Sequence, residues 1–101
     1  MNYTLTDKLH FDDNPKIIIK DKSIEVKADA ETVLTLVDTL QTKGEMQATL
    51  DAANLLFAEK DKKIIKGLKL RFDDYLILIT TAISLALGEN PNEEDEKLGE
   101  E

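Results

Sequence analysis

Apolar residues are densest between Tyr75 and Leu87, where ten of thirteen positions are apolar. Asp73 and Asp74 precede this run, Gly88 follows it, and Pro91 comes soon after. As a helix it carries acids at its start, where the macrodipole favours negative charge. It has a glycine just past its end, where a left-handed cap is needed. Its polar stripe is only Thr80, Thr81 and Ser84. A helix with so narrow a polar face is buried on most sides. It falls short of the roughly 20 apolar residues that span a bilayer. It is therefore a central core helix, or one whose second face meets another chain.

The rest of the chain supplies its cover. Lys16–Lys20 and Ser23–Lys27 have the composition and alternation of two strands, joined by a turn at Asp21-Lys22. They predict a β-hairpin over 16–27, with residues 8–11 available as a third strand. Asp12-Asp13-Asn14-Pro15 is a turn signal ahead of it. A lone hairpin is marginal in water, so this one must pack on helices. Asp29 is an N-cap for a helix with Val33, Leu34, Leu36, Val37 and Leu40 on one face. Lys43-Gly44 ends it. A second helix runs from 45 to 57, with Met46, Leu50, Ala53 and Phe57 on one side, and the short link favours an antiparallel pair. Residues 58–71 are basic (six Lys and Arg against Glu59 and Asp61), with Ile64, Ile65, Leu68 and Leu70 interleaved. They predict a short helical turn, a break at Gly67 and a link into the last helix. The fold class is α+β: an N-terminal β-hairpin or small antiparallel sheet on about three α-helices. Residues 1–88 make one domain, and 89–101 an acidic, flexible tail.

Charge sharpens that division. The 101 residues carry a net charge of -8. Residues 89–101 hold seven acids and one base, so the domain itself is nearly neutral. Acid excess repels phosphate backbones, and five per cent aromatics leave few platforms for stacking bases, so no nucleic-acid partner is expected. There is no cysteine, which removes disulfides, zinc–thiolate sites and thiol catalysis and leaves a reducing cytoplasm as the expected setting. No signal peptide and no membrane span is read.

Little in the sequence points to catalysis. His10 is the single histidine, with no serine or cysteine nucleophile motif beside it. The four glycines are scattered singly, so no phosphate-cradling loop forms. Asp12-Asp13 and Asp73-Asp74 are paired carboxylates, the type that binds hard cations or moves protons. They lack calcium-loop spacing and are read as a turn and a helix start. No catalytic residue, metal or cofactor is assigned.

Three runs carry a family resemblance: Leu55–Ile64, Leu68–Tyr75, and Ala82–Pro91 followed by acids. Together they resemble tail assembly chaperones of siphophages. The nearest type is the tape-measure-protein chaperone of phages and prophages of Gram-positive bacteria, lactococcal ones included. The resemblance covers about residues 50–97 and is one of residue types. It implies a non-catalytic chaperone that holds the long helical tape measure protein soluble in the host cytoplasm until major tail protein polymerises around it. Such a protein is absent from the mature virion. The resemblance also implies self-association into a homo-oligomer, and a contact with major tail protein through a longer frameshifted form. It brings no ligand residues. The positions it makes candidates for client or self contact are Phe57, Leu70, Phe72, Leu76, Ile79, Ile83 and Leu87. The alternative is a virion structural subunit, a tail or connector protein. A DNA-mimicking inhibitor is a weaker reading, because the acids are too local to imitate a duplex.

Overall fold

A computed structural model describes residues 1–9 and 14–89. The possible third strand, His10, the Asp12-Asp13 turn and the acidic tail from residue 90 onward fall wholly or partly outside the described residues. Thr6–Lys8 form a single exposed 3-10 turn, not the start of a strand. The hairpin follows as β1 (Lys16–Ile19) and β2 (Lys22–Glu25). The strands are antiparallel, with Ile17 opposite Ile24 and Ile19 opposite Lys22. The two-residue turn is Lys20-Asp21, one place earlier than the sequence implied, and Lys20 takes a φ of 55° there. Val26 extends the pairing by donating its N–H to the Pro15 carbonyl at 2.9 Å.

Four helices complete the domain: α1 (Ala30–Thr42), α2 (Glu45–Leu56), α3 (Glu59–Leu68) and α4 (Phe72–Ala86). Asp29 caps α1 as its residue type requires, its carboxylate accepting from the Thr32 N–H at 3.2 Å and the Thr32 hydroxyl at 2.7 Å. Those hydrogen bonds hold the Asp29 carboxyl below its ordinary pKa. At the next junction Asp51 binds Gln47 at 2.9 Å and Lys43 at 3.1 Å, across the turn between α1 and α2. The Gln47 hydrogen bond, then Lys43, lowers the Asp51 pKa. The end of α4 is a paired glycine cap. Gly88 sits at φ 88°, its N–H bonds the Leu85 carbonyl at 3.0 Å, and the Glu89 N–H reaches back to Ser84 at 2.9 Å. The chain is thereby turned off the helix axis.

Two sequence expectations are corrected. Residues 59–68 are a ten-residue helix rather than a turn, and it runs through Gly67. It stops at Lys69, which adopts the left-handed conformation at φ 51°, ψ 51°. The buried face of α2 is also different. Met46 and Leu50 are more than half exposed, while Ala48, Ala52 and Leu56 are buried. Small side chains let α2 lie close to both α1 and α4, its two helical neighbours. The larger Met46 and Leu50 would hold those helices apart, and they point away.

The core draws on the β2 side of the hairpin and on all four helices. Ile24 and Val26 come from the hairpin, Leu36 from α1, Ala52, Leu56 and Phe57 from the end of α2, Ile65 from α3, and Leu78, Ile79, Ala82 and Ala86 from α4. The last helix is thus central, as its composition implied, but one stripe of it stays outside: Asp73, Ile77 and Thr80 are exposed. The hairpin is held by more than apolar contact. The outer edge of β2 faces α3, and there the Glu25 N–H donates to the Asp61 carboxylate at 3.4 Å. Asp61 is 3% exposed and lies in the first turn of α3, where a negative charge is favoured. Lys27 then donates to the Leu56 carbonyl at 2.8 Å, fastening the chain beyond β2 to the end of α2. The opposite edge, that of β1, pairs with no described strand. By the register, Lys16 and Ile18 turn their backbone groups toward it.

Two substitutions test this packing by urea unfolding. Asp61→Ala leaves the Glu25 N–H without its acceptor and is expected to cost about 1–3 kcal/mol, while Asp61→Asn, which keeps an oxygen there, costs less. An equal loss in both would mean that the hydrogen bond is not what matters. Ile79→Ala removes a side chain only 2% exposed, with an expected loss of about 2–5 kcal/mol. A loss under about 1 kcal/mol would place Ile79 outside the core.

Candidate functional site

Among the described residues, an open groove of about 560 Å³ lies between the end of α2, α3 and the start of α4. Each wall has a local cause. The α2 helix stops at Phe57, where the chain turns extended, and the ring folds in at 1% exposure to form the floor beside Ala53. The amphipathic turns of α3 put Ile65 inside and Lys62 and Lys66 on the rim. The left-handed Lys69 breaks the chain and swings Leu70 across the gap. Then α4 begins with Phe72, 60% exposed, and Tyr75, half-buried one turn later. Asn54 supplies the one neutral amide in the lining.

The lining contains three lysines and no carboxylate. Lys62 is tied to Glu59 at 3.3 Å, but Lys66 and Lys69 form no ion pair with any described residue. The groove is thus apolar below and cationic at its lip. That arrangement is complementary to an apolar side chain flanked by acids. Among the described residues no three His, Cys, Asp or Glu side chains converge as a metal site would need. Among them, too, no helix is long and apolar enough to cross a membrane.

The positions selected from sequence do not form one surface. Phe57, Leu70 and Phe72 meet in the groove. Leu70 also borders a second, smaller depression of about 320 Å³, where Ile17 and Ile19 of β1 face Ile77 and Leu78 of α4. Leu76 and Ile83 are half-buried, Ile83 against the core, and Ile79 is closed inside it. Leu87 is exposed at the far end of α4. Lys62, Lys66 and Lys69 stand in the basic section that the sequence marks, but neither they nor Asn54 and Tyr75 are among the selected positions. The signal for the first two lysines was present: Lys62 and Lys66 stand four apart with Ile65 between them, which puts them along one flank once 59–68 is a helix.

Burial in the groove wall pushes the Tyr75 phenol above its ordinary value near 10. The neutral phenol therefore favours the folded state. This contribution is complete below the unfolded pKa and is lost as pH rises through the raised one. Phe72→Ala, which uncovers the ring, is expected to bring the Tyr75 titration back toward normal. Ultraviolet titration against a Tyr75→Phe control reads this directly; an unchanged midpoint would mean that Phe72 does not shield the phenol. A comparison of the chain with models of known protein families, with curated proteins and with solved structures finds no match.

Proposed function

We propose that this protein is a phage tail assembly chaperone, which binds the tape measure protein and keeps it soluble in the host cytoplasm during tail morphogenesis. The observation that carries the reading is the groove with an apolar floor of Phe57, Ile65 and Leu70 and a rim of Lys62, Lys66 and Lys69. A tape measure protein is long and helical, and before assembly such a chain exposes apolar stripes edged by charge. An amphipathic helix lays its apolar anchors into a groove of this kind, and acids beside the anchors meet the lysines. The residue-type resemblance over 50–97 points the same way. The role is one of binding, without catalysis or cofactor.

Self-association belongs to the same proposal. Leu34, Met46, Leu50, Ile18 and Ile77 are each more than half exposed, and they lie away from the groove. A second copy covering some of them would leave the groove free for client. A virion structural subunit is the competing reading, favoured by the open edge of β1, through which subunits can add strands. Mass spectrometry of purified virions separates the two, since a chaperone is missing from them.

The direct test is co-expression with the tape measure protein of the same phage or prophage. The client is expected to stay soluble and to co-purify. Phe72→Glu, at an exposed site, is expected to leave the fold intact and lower the recovered client by about tenfold or more, a loss of 1.4 kcal/mol or greater in binding. A client that stays insoluble beside abundant folded protein would overturn the chaperone reading. A client held equally well by Phe72→Glu would move the binding surface elsewhere.

A further inference from the structure

We propose that the acidic segment 90–101 of this same chain docks in the lysine-rimmed groove and occupies it when no client is bound. Three observations meet here. First, charge is complementary: the groove lining carries Lys62, Lys66 and Lys69 and no acid, while the segment carries Glu93, Glu94, Asp95 and Glu96 in succession. Second, α4 ends before the segment begins. The glycine cap at Gly88 turns the chain off the axis of α4, and the Glu89 N–H is already bonded back to Ser84.

Third, the lengths agree. Tyr75, on the groove wall, lies about 18 Å along the helix from Leu87 at 1.5 Å per residue. An extended chain covers roughly 3.4 Å per residue, so the acids four to seven places beyond Glu89 reach about 14–24 Å. The run of four acids therefore has the reach to return to the level of Tyr75, which shares the groove lining with Lys66 and Lys69, and Leu98 is the one large apolar side chain in the segment. Tethering favours this occupant over the same segment of a second copy, because a short flexible link gives an effective concentration in the mM range.

Docking itself does not depend on the chaperone reading. The experiment accordingly reads the protein alone. Amide spectra of the full chain are compared with those of a full-length variant carrying E93Q, E94Q, D95N and E96Q. They are recorded at about 0.02 M and about 0.5 M salt, where the screening length drops from roughly 20 Å to roughly 4 Å. The expected result is a set of shift differences at Asn54, Lys66, Lys69 and Tyr75 in low salt, lost in high salt and independent of protein concentration. Unchanged signals from α1 and β2 verify that the variant is folded. Differences confined to residues next to the substitutions would overturn the proposal. So would differences that grow with protein concentration, because the occupant would then be the segment of another copy.

Discussion

A two-stranded sheet cannot stand by itself, and the architecture follows from what holds this one in place. Its inner residues, Ile24 and Val26, are fully buried among the helices. Its β2 edge would otherwise present unpaired backbone groups, a cost that folded proteins avoid. Here Asp61 supplies an acceptor for that edge, and Leu56 supplies another just past it. Both acceptors sit close to the junction of α2 and α3. The same junction buries Phe57 and fixes the direction in which α3 leaves. The anchoring of the hairpin and the shape of the groove are therefore one problem with one solution.

Much of this was legible in the chain because local and global preferences agree. Strand alternation located the hairpin to within a residue or two. Asp29 marked the start of α1, and the apolar run with Gly88 behind it marked α4. Failures came where packing overrode the local signal. In α2 the largest apolar residues were taken for the buried face, yet close approach of three helices selects Ala48 and Ala52, and Met46 and Leu50 face solvent. In α3 the lysines obscured an amphipathic helix, and Gly67 looked like its end. Glycine weakens a helix by only about 1 kcal/mol, which tertiary contacts through Ile65 and Asp61 outweigh. The actual stop, a left-handed lysine, has no sequence signature.

The groove was half visible for the same reason. Its aromatic and aliphatic members lie where the chain changes direction, and those residues stood out as apolar positions in polar surroundings. Its cationic members became a rim only once α3 existed as a helix. The resemblance to phage chaperones covers this stretch of chain without naming the lysines. The groove combines an apolar floor with lysines on its rim, of which Lys66 and Lys69 form no ion pair with any described residue.

The unequal edges of the hairpin have a bearing on assembly. Among the described residues α3 lies against the β2 edge at Glu25, and no strand lies beside β1. Pairing of β1 with β1 of a second copy is isologous and uses up both open edges, so growth by that route halts at a closed pair. Lys16 and Lys20 at the two ends of the strand discourage casual pairing in the first place. A sheet with one usable side terminates its own extension, whereas a strand exposed on both sides can add neighbours without end.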